Sequence, residues 1–161
     1  MTENQNYPSP HTAGDGMSDP AAAELTNAVA QGVERLLRQM GLSTIREFTL
    51  ANGRRADIAG LSRKGEIVLV EIKVSVADFR ADGKWPDYLD FCDRFFFAVP
   101  EQFPRDILPA DQGLIIADQF GGAELRAAPE ARISAARRKA VILRFARKAA
   151  ERLWQQQQIS G

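Results

Sequence analysis

Two acidic residues and a lysine lie in segments that otherwise have the composition of β-strands. Asp57 lies within Arg54–Ile58, and Glu71 and Lys73 interrupt the apolar run Ile67–Val74. Because side chains two apart in a strand point to the same face, Glu71 and Lys73 would share one face of theirs. Carboxylates that converge with a lysine can hold a divalent metal ion and activate a water molecule, which is the chemistry of phosphodiester hydrolysis.

The turn between the two segments determines which of their residues face each other. If Arg63-Lys64-Gly65 is a three-residue hairpin loop with its glycine at positive φ, Asp57 lies opposite Glu71. Their Cβ atoms would be roughly 5 Å apart. Carboxylates that face each other repel unless a cation lies between them or one keeps its proton. We therefore predict a site for Mg²⁺ or Mn²⁺ whose ligands include the backbone carbonyl of Ile72, with Lys73 beside the metal-bound water.

The loop before Asp57 decides whether a third carboxylate joins this site. A two-residue Asn52-Gly53 loop would pair Asp57 with Phe48 and turn Glu47 away, whereas a three-residue loop that begins at Ala51 would set Glu47 opposite Asp57. The dipeptide favours the first register and the hydrophobic pattern favours the second. In the second register one apolar face would contain Phe48, Leu50, Ile58, Val70 and Ile72. We prefer the second register, which makes Glu47 an accessory metal ligand.

The combination of Asp57 with Glu71-Ile72-Lys73 resembles the signature of the PD-(D/E)xK nuclease superfamily, although Ala56 stands where that signature has proline. The chain is also similar, over about residues 30 to 154, to the bacterial MmcB-like DNA repair family. That similarity is carried by Gly53–Asp57, Asp78–Tyr88 and Arg137–Ala140. The resemblance implies a restriction-endonuclease-like fold and a metal-dependent endonuclease that acts on DNA in repair.

Many members of that superfamily place a polar residue and a tyrosine, four positions apart, on the helix after the lysine strand. Lys84 and Tyr88 have this spacing, and residues four apart share a helix face. Lys84 would then contact a DNA phosphate, and Tyr88 would stack on a base or donate a hydrogen bond. The alternative is that Trp85 and Tyr88 are core aromatics and Lys84 is solvated.

The formal net charge is zero, but the charges are unevenly distributed, because residues 1–30 contain no Lys or Arg and the final helix is basic. A single stripe of that helix would carry Arg137, Arg144, Lys148 and Arg152. The stripe could follow a phosphate backbone, with Arg55 beside Asp57 as a further contact. The alternative is a solvated face, with cations favoured near the helix C-terminus.

The length of 161 residues, with 45% hydrophobic and 26% charged residues, fits one globular domain. We expect a disordered tail over 1–19, a single domain over 20–155 and a C-terminal tail over 156–161. The fold class is α/β, with a restriction-endonuclease-like mixed sheet flanked by helices. The core order is α-β-β-β-α-β, followed by a further strand and a long final helix. The patterns after the lysine strand predict short helices at Asp78–Asp82 and Pro86–Cys92, strands at Arg94–Val99 and Gly113–Ala117, an edge strand at Glu124–Ala127 and a helix at Ile133–Trp154.

Composition also excludes several classes of site. A single cysteine, Cys92, rules out an intrachain disulfide and a cysteine-rich zinc site, and the single histidine, His11, lies in the expected tail. A Ser-His-Asp triad and a histidine-built metal site therefore lack the residues they need. No apolar run could cross a bilayer and no secretory signal is visible, so a cytoplasmic location is expected.

Three functions remain open at this point. The first is a metal-dependent deoxyribonuclease whose partners are DNA and other repair proteins. The second is a non-cleaving DNA-binding or scaffolding module of a repair complex with the same fold. The third is a protein-interaction domain that binds neither metal nor DNA. No seam in the sequence identifies a dimer interface, so a homodimer is left open.

Overall fold

A six-stranded mixed sheet forms the centre of the protein, in the order β1-β2-β3-β4-β5-β6. The computed structural model describes residues 19–161. The strands are β1 (Leu42–Thr49), β2 (Arg55–Ser62), β3 (Ile67–Ile72), β4 (Arg94–Val99), β5 (Gly113–Ala117) and β6 (Gly122–Arg126). The helices are α1 (Pro20–Gln39), α2 (Val76–Ala81) and α3 (Ala135–Ile159), with 3₁₀ helices at Trp85–Phe91 and Arg105–Ile107. This is the mixed α/β architecture that the sequence predicts.

The connections also follow the prediction. β1, β2 and β3 form antiparallel hairpins, β3, β4 and β5 are parallel, and β6 returns antiparallel to β5. The expected N-terminal tail lies outside the described residues, apart from Asp19, whose side chain caps α1. The final helix extends to Ile159, so it includes most of the residues expected to form a C-terminal tail. No helix within residues 19–161 is long and apolar enough to cross a membrane.

Helices cover both faces of the sheet. On one face, α1 buries Val29, Val33 and Leu37 against a cluster that includes Val70 and Phe96. The other face is covered by the 3₁₀ helix at Trp85–Phe91 and by α3. Its cluster includes Leu69, Phe95, Phe97, Tyr88 and Val141. Each fully buried aliphatic or aromatic side chain of this kind contributes roughly 1.5–3 kcal/mol, so packing on both faces holds the central strands in place.

The hairpin between β2 and β3 has the predicted register. The N–H of Ser62 donates to the carbonyl of Glu66 at 3.0 Å across a three-residue loop, and Gly65 of that loop has φ 84°. The ladder, continued by one residue beyond its last pair, sets Asp57 opposite Glu71. The turn residues therefore place the two carboxylates on adjacent strands.

The hairpin between β1 and β2 follows the register that the hydrophobic pattern favours. The N–H of Leu50 donates to the carbonyl of Arg54 at 2.7 Å, which encloses the three residues Ala51–Gly53. The flanking pairs of this ladder set Glu47 opposite Asp57. The Asn-Gly dipeptide lies inside a longer loop, so it does not define a two-residue turn here.

The side-chain faces of β1 differ from simple alternation. Glu47 has φ 49° and is the one non-glycine residue at positive φ within residues 19–161. This left-handed residue interrupts the alternation, so Ile45 and Phe48 pack in the same cluster although they are three positions apart. The expected apolar face is therefore wrong at its β1 end, because Phe48 and Leu50 pack on the other side of the sheet from Ile58.

A partly buried ion pair that the sequence did not predict fixes α3 to the sheet. Arg138 donates to both carboxylate oxygens of Asp93 at 2.6 Å and to the carbonyl of Gly65 at 2.8 Å. Asp93 also accepts from the N–H of Ile67 at 2.8 Å. Bidentate, charge-assisted bonds of this kind are among the strongest in proteins. They set the position of the first turns of α3 relative to the β2–β3 hairpin.

Gly32 allows α1 to pack closely on the loop before β6. A Cβ atom at this position would lie 2.1 Å from the carbonyl oxygen of Asp118, well inside van der Waals contact. We expect Gly32→Ala to lower the free energy of unfolding by about 3 kcal/mol or more, because backbone must shift to relieve the clash. Urea unfolding measures this loss. Gly121→Ala is the matched control, since a Cβ there meets nothing within 4 Å, and equal losses in both variants would contradict the close approach.

Candidate metal and nucleic-acid site

Asp57 lies where β2 and β3 separate. The last ladder pair between these strands is Ile58 with Val70, and beyond it Asp57 Oδ2 accepts a hydrogen bond from the N–H of Ile72 at 2.6 Å. Burial raises the pKa of Asp57, although the Ile72 hydrogen bond and the charge of Lys73 act in the opposite direction. The hydrogen bond to Ile72 thus fixes the Asp57 side chain at the end of the sheet, next to Glu71.

Glu71 near the end of β3 and Lys73 directly after it lie side by side, and both are buried, at 7% and 4% exposure. Lys73 Nζ lies 3.4 Å from Glu71 Oε1, and the other carboxylate oxygen of Glu71 is buried without a hydrogen-bond partner. Burial, followed by the negative charge of Asp57, raises the pKa of Glu71 from 4.5 to about 8. In the protein alone, the repulsion between the two facing carboxyl groups is therefore relieved by a proton on Glu71 at neutral pH.

Asp82 completes this cluster, and sequence reasoning missed it. Its Oδ2 atom accepts from Lys73 Nζ at 2.7 Å. Burial alone would lower the pKa of Lys73, but the hydrogen bond to Asp82 and the charge of Glu71 outweigh it and raise that pKa. Lys73 is therefore a cation held between two carboxyl groups. The available signal was position, since only three residues separate β3 from α2 and Asp82 directly follows that short helix.

Glu47 lies near the cluster without joining it. Its exposed side chain lines a cleft that also contains Asp57 and Ile72. Within residues 19–161, no three His, Cys, Asp or Glu side chains come close enough together to hold one metal ion. The carboxylates of the candidate metal site are therefore Asp57 and Glu71, and Glu47 lies in the wall of the cleft beside them.

Tyr88 and Lys84 do not act as a pair. Tyr88 lies in a 3₁₀ helix, where residues three rather than four positions apart align, and Lys84 is the exposed residue before it. The Tyr88 ring is buried and stacks on Phe95 with centroids 5.8 Å apart, and its hydroxyl donates to the carbonyl of Arg55 at 2.9 Å. The expected stacking of Tyr88 on a base is therefore corrected to a core role, since its ring is covered by protein.

Two side chains of the basic stripe of α3 contact other groups of the protein, and the other two line a cleft. The Arg137 guanidinium lies 4.6 Å from the centroid of the Phe91 ring, and Arg152 donates to the carbonyl of Glu47 at 3.1 Å. Arg144 and Lys148 line a cleft of about 440 Å³, where Lys148 Nζ also lies 3.8 Å from Glu151 Oε2 in an exposed ion pair.

Strand pairing connects that cleft to the carboxylate pair. The cleft is also lined by Thr49, which pairs with Arg55 across β1 and β2. Arg55 is exposed and lies two residues before Asp57 on the same strand. Cationic groups therefore extend from α3 towards the end of the sheet where Asp57 lies.

These features define a mixed α/β protein with a buried carboxylate–lysine cluster at the end of a central strand and a basic helix beside it. The family model of the MmcB-like DNA repair proteins matches residues 13–159, and the chain belongs to this family. Membership confirms the resemblance to the MmcB-like family and implies a role in DNA repair, and hence interaction with DNA.

A solved structure of a protein of unknown function from Silicibacter pomeroyi has the same fold. It matches with a TM-score of 0.81 and 46% sequence identity, over 84% of this chain and 93% of that chain. No curated protein matches this sequence. The solved relative therefore supports the architecture, while the family supplies the biological setting.

Proposed function

We propose that this protein is a metal-dependent deoxyribonuclease that hydrolyses phosphodiester bonds in DNA during repair. The observation that carries the proposal is the pair Asp57 and Glu71, held opposite each other at the end of the sheet with Lys73 beside them. The same arrangement supports placement in the PD-(D/E)xK superfamily with its restriction-endonuclease-like fold. A structural core rarely keeps an unpartnered buried carboxylate oxygen, whereas a metal site uses one.

The residues present fit Mg²⁺ or Mn²⁺. Asp57, Glu71 and the carbonyl of Ile72 would hold the ion, and oxygen donors of this kind, completed by water and substrate phosphate, suit both metals. The Oε2 atom of Glu71, which has no hydrogen-bond partner, is free to ligate the metal. The cation would replace the proton that Glu71 otherwise retains. Once bound, the metal would polarise a phosphoryl oxygen and lower the pKa of a bound water.

The side chains of this chain then have distinct roles. Lys73, kept cationic by its 2.7 Å hydrogen bond to Asp82, would offset the negative charge that develops on the phosphoryl group. Asp82 would act through Lys73, because its hydrogen bond fixes the position of the ammonium group. Arg55 and the accessible cations of α3 would hold the DNA backbone through phosphate contacts, which carry no base information.

A specific observation favours a second function, a DNA-binding or scaffolding module that does not cleave. The charge of Lys73 is already neutralised by Asp82, and the proton on Glu71 removes the repulsion from Asp57. The charges of the cluster are therefore nearly balanced without a metal ion. Such a protein would bind DNA through α3 while its carboxyl groups served only the fold.

Titration of Mg²⁺ or Mn²⁺ into the protein with labelled single-stranded, duplex and branched DNA distinguishes these two functions. Cleavage and binding are followed in the same samples. Metal-dependent cutting supports the nuclease. Binding without cutting at any metal concentration supports the scaffolding module and contradicts the catalytic assignment.

The contribution of α3 to DNA binding is tested by charge removal. We expect Arg144→Gln or Lys148→Gln to weaken binding equally for all sequences and to reduce the slope of log K against log salt by about one unit each. Fluorescence anisotropy over a range of salt concentrations measures both effects. Arg35→Gln removes one exposed positive charge from α1 and serves as the control, because only a general charge effect would change its slope to the same extent.

A further inference from the structure

A cleft that contains Asp57 and Ile72 extends beside the candidate metal site. It lies between the first half of α1 and the ends of β1, β2 and β3, and its volume is about 620 Å³. The first two turns of α1 contain no buried residue, whereas Val29, Gly32 and Val33 in the following turns are buried. The α1 wall is formed largely by small side chains, among them Ala22 and Ala23. Room therefore remains beside the carboxylate pair.

The size of the cleft limits what can enter it. Pockets of roughly 300–1,000 Å³ take one small organic molecule, and a DNA duplex is far wider. A nucleotide next to the scissile phosphate could occupy the cleft only if it were unpaired or turned out of the helix. Because Asp57 forms part of the wall, such a nucleotide would remain joined to a phosphate at the candidate metal site.

The charges in the cleft suit a base rather than a phosphate. Arg46 is the one Lys or Arg among its described lining residues, and its guanidinium nitrogens bond to Glu34 at 2.9 and 2.7 Å and to Asn27 at 2.7 Å. The carboxylate groups of Glu47 and Asp78, by contrast, have no hydrogen-bond or ion-pair partner among residues 19–161. Their oxygens accept hydrogen bonds, and exocyclic amino groups of bases are donors of the matching kind.

We infer that this cleft is a subsite for an unpaired nucleotide, and that it prefers bases with an exocyclic amino group over thymine. The inference rests on the proposed function and gives it a substrate class, which is single-stranded or locally unpaired DNA. Asp78 is the main acceptor for the amino group, because its exposed carboxylate lines the cleft in the first turn of α2. The amide nitrogen of Asn27 remains a donor on the opposite wall.

Filling the cleft tests the inference without disturbing the carboxylate pair. Ala23→Leu places a larger side chain in the cleft, and Ala21→Leu makes the same change on the same helix outside the cleft lining. Both sites are exposed and leucine is a good helix former, so neither variant should unfold. The probes are short fluorescein-labelled oligo(dC), oligo(dA), oligo(dT) and a perfect duplex. Binding is measured by anisotropy with Ca²⁺ present.

We expect oligo(dC) and oligo(dA) to bind more tightly than oligo(dT), and Asp78→Asn to reduce that difference. Ala23→Leu should weaken single-strand binding about tenfold, the lower end of what one base contact contributes, while Ala21→Leu changes nothing. Equal affinities for the oligonucleotides in the wild type, or equal behaviour of the two leucine variants, would overturn the subsite.

Cleavage of the same probes in Mg²⁺ separates this inference from the proposed nuclease. Wild-type cutting that is unaffected by Ala23→Leu leaves the nuclease in place and rejects the cleft. Single-strand binding that depends on Ala23, with no cutting of any probe, retains the nucleotide subsite and rejects the catalytic proposal.

Discussion

Asp57→Asn is expected to lower the rate of metal-dependent DNA cleavage by about 10³-fold, the upper end of what the loss of one group that stabilises transition-state charge costs. The amide keeps an oxygen that can accept the 2.6 Å hydrogen bond from Ile72, so the end of β2 should keep its geometry. What is lost is the negative charge that would hold the ion. Single-turnover cleavage with Mg²⁺ measures the rate, and Mn²⁺ titration calorimetry measures the metal affinity.

Asp111→Asn is the matched control for Asp57→Asn. Asp111 is exposed and lies in the loop before β5, so the same substitution there should leave both rate and affinity unchanged. Urea unfolding of both variants separates a lost site from a lost fold. Cleavage by Asp57→Asn at the wild-type rate, in a folded protein, would remove Asp57 from the proposed mechanism.

Turn chemistry explains why the carboxylate pair could be predicted from the sequence. Gly65 at positive φ closes a short loop, and the loop length then determines the pairing between β2 and β3 up to Ile58 with Val70, beyond which Asp57 faces Glu71. A short apolar run bounded by Pro100 likewise predicted β4 and its parallel pairing with β3. These features are local, or follow from a local feature by the fixed period of the strand.

The parts that the sequence did not predict depend on how distant segments meet. The partner of Lys73 became visible only once the path of α2 was known, and the bond from Arg152 to the Glu47 carbonyl joins residues 105 positions apart. The left-handed backbone at Glu47 broke the alternation on which the face assignment of β1 relied. The sequence left a DNA-contacting Tyr88 and a core Tyr88 both open, because composition does not separate the period of a 3₁₀ helix from that of an α-helix.

Glu71→Gln is expected to change how the stability of the metal-free protein depends on pH. The pKa of Glu71 is 4.5 in its ordinary state and about 8 in the folded protein. Below pH 4.5 both the folded and the unfolded states carry the proton. Between these two values the unfolded chain loses the proton first. The free energy of unfolding of the wild type should therefore fall in this range, by up to roughly 1.4 kcal/mol per pH unit, and should level off above the folded pKa.

Glutamine resembles the protonated carboxyl group in shape and does not titrate, so Glu71→Gln should lose the part of this fall that Glu71 contributes and become the more stable protein towards pH 8. Urea unfolding across the interval measures the difference, with the exposed Glu101→Gln as the control. Saturating Mg²⁺ should remove most of the wild-type decline, because a cation at Asp57 and Glu71 stabilises the ionised form and releases its proton. A parallel pH dependence in wild type and Glu71→Gln would show that Glu71 ionises normally. In that case, the fact that the two carboxylates face each other would no longer support a metal ion between them.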